Sequence, residues 1–142
     1  MKPILLFILL PILLLSCNNP AKKTEGEHPK PSSASKVITA DYELYIPKKS
    51  IKAVLILFGG YPESISDIKQ EFQILNSTKN SDVAVLLLNY NQKLWLTDIE
   101  KFELASRIQT IIEQHQLPSD NIVIGGFSSG GNVSVLISNY II

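Results

Sequence analysis

"NIVIGGFSSGGN", residues 121–132, decides how this chain is read. The apolar run 122–124 stops at Gly125 and Gly126, and Phe127 leads into Ser128, Ser129, Gly130 and Gly131. A short apolar run stopped by glycines reads as a buried strand, and the apolar segment after it reads as a helix. Gly126-Phe127-Ser128-Ser129-Gly130 therefore fits G-x-S-x-G on a strand-to-helix turn. Glycine is needed two positions either side of the serine, because a side chain there would collide with the turning backbone. The serine would stand at the N-terminal end of a helix, where the partial positive charge favours an oxyanion. Neither phosphate-loop pattern, G-x-G-x-x-G or G-x-x-x-x-G-K-[ST], aligns on residues 125–132. A turn that is glycine-rich only for packing stays open as an alternative.

Upstream, residues 37–46, "VITADYELYI", alternate loosely and meet Pro47, which predicts a strand exposed on one face at a sheet edge. Residues 53–58 form a continuous apolar run stopped by Gly59 and Gly60, as in a strand buried on both faces. In residues 64–79, Ile65, Ile68, Phe72 and Leu75 share one face of a helix. Residues 83–90, "VAVLLLNY", predict a second buried strand, and 122–126 a third. Thr97 and Glu100 form a capping box that opens another helix. Ile99, Phe102, Ala105, Ile108, Ile111 and Ile112 fall on one face of it, and Pro118 follows its end. Strand, helix, strand, helix, strand predicts an α/β fold, a parallel sheet with helices on both faces.

The loop after the first buried strand, "LFGGYPES" at residues 57–64, completes a pattern. With that loop and its G-x-S-x-G turn, the chain resembles the α/β-hydrolase family over residues 37–142. The resemblance makes residues 53–58, 83–89 and 122–126 the family's third, fourth and fifth strands. The sequence then stops inside the helix after the turn, a truncated α/β-hydrolase fold. The resemblance implies that Ser128 is a nucleophile and that the Ser129 N–H forms half of an oxyanion hole. The other donor is the N–H of Tyr61, or of Gly60 in a register one residue earlier. The histidine that many members carry in this loop is absent, with Gly59 or Phe58 in its place. Serine at the turn, where epoxide hydrolases carry aspartate, points to the esterase, lipase and peptidase branches. The expected partner is a small-molecule ester or acyl substrate, with no cofactor and no metal.

A serine hydroxyl needs a base, and the base an orienting acid, which follow the serine in the order Asp or Glu, then His. After Ser128 the sequence reads "SGGNVSVLISNYII", with no Asp, Glu or His. His28 lies in a polar segment that gives it no fixed position, and His115 falls on the apolar side of the second helix near its end. The chain alone is therefore expected to be inactive or nearly so, as the N-terminal part of a longer serine hydrolase. The alternative is a non-catalytic, membrane-tethered binding or structural domain on the same scaffold.

The first residues, "MKPILLFILLPILLLSC", carry a charge at Lys2 and an apolar run shorter than the roughly 20 residues of a membrane span. They predict a signal peptide over residues 1–16. Leu14-Leu15-Ser16-Cys17 resembles the lipobox of bacterial lipoproteins, which implies cleavage before Cys17 and acylation of it. Residues 17–36 then form a lipidated cysteine and a polar tether rich in Pro, Ser and Lys. The expected location is the bacterial cell envelope, exported and held through membrane lipid. One cysteine excludes an intramolecular disulfide, and zero net charge gives no electrostatic case for nucleic acid.

Overall fold

The computed structural model describes residues 34–141, apart from positions 79 and 92. Cys17, His28, the signal segment and most of the tether lie outside the described residues. Five strands form one mixed sheet: β1 (Ser35–Ile38), β2 (Tyr42–Ile46), β3 (Ala53–Phe58), β4 (Val83–Leu88) and β5 (Ile122–Gly126), in the spatial order β1-β2-β4-β3-β5. β3 pairs in parallel with β4 and β5, as the three buried runs predict. β1 and β2 add an antiparallel hairpin, with β2 against β4.

Two differences from the sequence reading arise here. Residues 37–46 are two strands, not one, and the first begins at Ser35, inside the expected tether. Thr39 breaks the run: its hydroxyl accepts from the N–H of Asp41 at 3.2 Å and of Tyr42 at 2.9 Å and donates to the Tyr42 carbonyl. A threonine that bonds its own following backbone offers an alternative to the sheet ladder. The sheet is thus mixed rather than wholly parallel.

Helices cover both faces. α1 (Ile65–Phe72) and α2 (Ile74–Thr78) lie on one, where Ile68 packs with Leu57, Val85 and Leu87. The expected single helix is broken at Gln73, whose φ of 47° is left-handed. α1 is opened by Ser64 and Asp67, a reciprocal cap of the S-x-x-D kind. On this face Glu43 of β2 accepts from Tyr45 at 2.5 Å and lies 2.9 Å from Lys69 and 3.2 Å from Lys36. Burial pushes the Glu43 carboxyl up, but the Tyr45, Lys69 and Lys36 donors outweigh it and hold it below the ordinary value.

The other face carries α3 (Asp98–Gln114) and α4 (Ser129–Ile137). Ile108, Ile112, Val133 and Ile137 meet Leu44, Val54, Ile56, Phe58 and Leu86 there, the larger part of the core. Thr97 caps α3 with Glu100 as the sequence predicts. Ile99 and Phe102, expected on the buried face, are instead 72% and 63% exposed, while Leu104 is buried. Arg107 donates to the carbonyl of Asn89, just past the end of β4. Ile99 and Phe102 thus stay exposed ahead of the first buried residues of α3, Leu104 and Ala105.

β5, expected to be a buried strand, is only partly so. It ends the sheet order, and Val123, beside Leu55 on the α1 face, is 54% exposed. Among the described residues no helix is long and apolar enough to cross a membrane.

Candidate active site

Ser128 sits between the end of β5 and the start of α4, with φ 50° and ψ −120°. A non-glycine residue in such a conformation costs on the order of 1–3 kcal/mol and persists only where its surroundings impose it. Those surroundings are the glycines. A Cβ on Gly126 would stand 2.5 Å from the Gly130 carbonyl carbon, and one on Gly130 would stand 2.5 Å from the Phe58 carbonyl oxygen. Backbone meets backbone on both sides of the serine, as the G-x-S-x-G reading requires.

Ser128 is the N-cap residue of α4, yet its side chain makes no capping bond. An N-cap serine ordinarily accepts from the second or third helical N–H. Here the N–H groups of Gly130 and Gly131 donate to the Phe127 carbonyl, at 2.8 and 3.3 Å. The first helical N–H groups are thus met by backbone and not by the Ser128 hydroxyl. The Ser129 N–H begins the helix and has no acceptor within it.

The loop after β3 lies against this turn. The Phe127 N–H donates to the Phe58 carbonyl at 3.2 Å. A Cβ on Gly60 would come within 3.2 Å of the Ser128 Cβ and 3.3 Å of the Phe127 ring. The two segments that sequence places about 70 residues apart are therefore side by side at the C-terminal ends of β3 and β5, where ligands bind in open α/β sheets. The two N–H groups expected as alternative donors, those of Gly60 and Tyr61, differ in their surroundings. The Gly60 N–H is already given to Glu63 Oε2 at 2.5 Å. Tyr61 follows on an exposed turn, across a cis bond from Pro62, and its side chain is exposed.

His115 is not brought to the site. Its ring bonds the Tyr42 hydroxyl at 3.0 Å and packs edge-on to that ring. Tyr42 belongs to β2, and β4 and β3 intervene before β5. Three strand spacings amount to about 14 Å. Among the described residues no group of three or more His, Cys, Asp or Glu is placed to hold a metal ion.

Two residues were missed by sequence reading. Tyr90 is buried, its hydroxyl donates to the Gly59 carbonyl at 3.1 Å, and it lies 2.9 Å from Ser129 Oγ. The second is Glu63, in the loop after β3. Its Glu-three-after-glycine spacing was visible, but a carboxylate folding back onto a backbone N–H is not signalled by that spacing. Nothing in the sequence ties Tyr90 to the turn 39 positions away.

The fold these elements build is a mixed sheet with helices on both faces, like that of esterase-like α/β-hydrolase structures. Among solved structures it matches Francisella virulence factor BioJ with a TM-score of 0.52 at 18% identity, over 77% of this chain and 40% of that one. An arylesterase matches with a TM-score of 0.51 at 17% identity, over 80% of this chain and 43% of the other. The chain thus spans less than half the length of either. No protein-family model and no curated protein matches it.

Proposed function

We propose that this chain is the nucleophile-bearing part of a serine hydrolase acting on carboxylic-ester or related acyl substrates, exported and anchored to a membrane by lipid on Cys17. The observation that carries the reading is Ser128 itself: a serine in a left-handed conformation at a strand-to-helix turn, its hydroxyl excluded from capping. Ser128 Oγ attacks the acyl carbon. The oxygen that gains the negative charge is held by the N–H groups of Ser129 and Tyr61 at the positive end of α4. The Ser128 proton must pass to a base, and no Asp, Glu or His follows Ser128 in this sequence. As it stands the chain is inactive or nearly so.

The second reading is a membrane-tethered binding or structural domain that keeps the scaffold. The two differ in one experiment. With imidazole supplied as base, a fluorophosphonate probe should modify Ser128 and should fail on Ser128→Ala, while Ser129→Ala keeps most of the labelling. Absence of any Ser128 adduct would favour the scaffold.

A further inference from the structure

The peptide between Gly59 and Gly60 is held on both sides. Its carbonyl accepts from the Tyr90 hydroxyl at 3.1 Å, and its N–H donates to Glu63 Oε2 at 2.5 Å. Two successive glycines leave a backbone with little steric restriction of its own, so these two bonds, not local sterics, set the plane of that peptide. The next N–H along the chain is that of Tyr61. It shares its peptide plane with the Gly60 carbonyl, which accepts from the Glu63 N–H at 2.7 Å.

Tyr90 is itself fixed. It is buried and stands edge-on to Phe58, with ring centroids 5.7 Å apart at 89°. A tyrosine hydroxyl has one proton. That proton goes to the Gly59 carbonyl, so the 2.9 Å bond with Ser129 runs from the serine hydroxyl to the tyrosine oxygen. Ser129 to Tyr90 to Gly59 is therefore a directed chain. It joins the residue after Ser128 to the loop that faces it.

We propose that Tyr90 and Glu63 are positioning residues that clamp the Gly59–Gly60 peptide, so that the N–H groups of Tyr61 and Ser129 converge on one oxygen beside Ser128. The clamp stands where the α/β-hydrolase resemblance leaves the loop without its histidine. It rests on the reading of Ser128 as a nucleophile. Neither side chain touches the reacting atoms. Tyr90 acts through the Gly59 carbonyl, and Glu63 acts by removing the Gly60 N–H from competition.

The test uses the full chain, with imidazole supplied as base, and follows fluorophosphonate labelling of Ser128 over a range of probe concentrations. Tyr90→Phe should lower the maximal labelling rate by about 10- to 100-fold, the scale on which a misplaced group loses rate, with the half-saturating probe concentration unchanged. Ser129→Ala should cost only a few-fold. Combining it with Tyr90→Phe should cost nothing more, because the serine's acceptor is already gone. Glu63→Ala should slow labelling and Glu63→Gln should recover most of the loss, since an amide oxygen accepts the same bond. Thermal unfolding of each variant accompanies the rates. If Tyr90→Phe does not fold, the comparison of Glu63→Ala with Glu63→Gln decides. Wild-type labelling at Ser128 matched by Tyr90→Phe and Glu63→Ala would overturn the clamp and leave the nucleophile standing. A wild-type chain that never labels at Ser128 would overturn both.

Discussion

A Cβ on Gly126 would lie 2.5 Å from the carbonyl carbon of Gly130, so the residues two before and two after Ser128 are in backbone contact. One position earlier the space is different: a Cβ on Gly125 would meet only Leu57 Cδ2, at 3.6 Å. Gly126→Ala should destabilise the fold by about 1–3 kcal/mol or more, because backbone must move to admit the methyl group. Gly125→Ala should stay within about 0.5 kcal/mol of wild type. Denaturant unfolding of the two variants checks this. Equal losses would mean that the turn is not held shut by these glycines.

The start of α3 gives a pH dependence. Lys93, then the Thr97 N–H and hydroxyl, lower the Glu100 carboxyl from 4.5 to about 2. A carboxyl depressed by folding contributes stability that is present above its unfolded value and is lost as pH falls through its folded one. The difference in Tm between wild type and Glu100→Gln should therefore shrink between about pH 4.5 and pH 2. Thr97→Ala should cost about 1 kcal/mol at neutral pH. A difference in Tm that holds constant down to pH 2 would contradict the assignment of this carboxylate.

The parts of this fold that sequence reveals are those governed by local pattern. β3 and β4 announce themselves because both faces are covered, and the Ser128 turn because its glycines are adjacent in the chain. Three features were not legible, for separate physical reasons. The break at Thr39 depends on one hydroxyl choosing its own backbone over the ladder. Ile99 and Phe102 have helical spacing toward the core, but spacing does not say where along a helix burial begins. The Tyr90 and Glu63 bonds to the loop appear only once the chain is folded, since one joins residues 31 positions apart. The strand before Ser128 and the helix after it stand where the apolar runs put them, and in the loop beside them the Gly60 N–H is given to Glu63.

β5 carries the prediction about association. It stands last in the sheet order, with Val123 exposed on one side of the sheet and Val135 of α4 71% exposed on the other. Unpaired strand edges with apolar residues associate. Sedimentation of residues 34–142 should show association that grows with concentration, and Val123→Lys should reduce it. A wild-type species that stays monomeric at every concentration would contradict the edge as an association site.

Anchoring is tested at Cys17, the last residue of the lipobox-like Leu14-Leu15-Ser16-Cys17. In a bacterial host, wild type should incorporate labelled fatty acid and partition with membranes. Cys17→Ala should lose the label and accumulate as precursor. Equal incorporation by both would remove the lipoprotein reading.

The central claim is that Ser128 is a nucleophile without its base, and one measurement addresses it directly. The chain is treated with a fluorophosphonate at increasing imidazole concentration, and the adduct is mapped by peptide mass. Loss of a triad member costs such enzymes on the order of 10⁴-fold in rate, so labelling without imidazole should be very slow. Labelling at Ser128 alone should rise with imidazole and vanish in Ser128→Ala. An adduct spread over other serines, or a rate that Ser128→Ala leaves unchanged, would contradict the account.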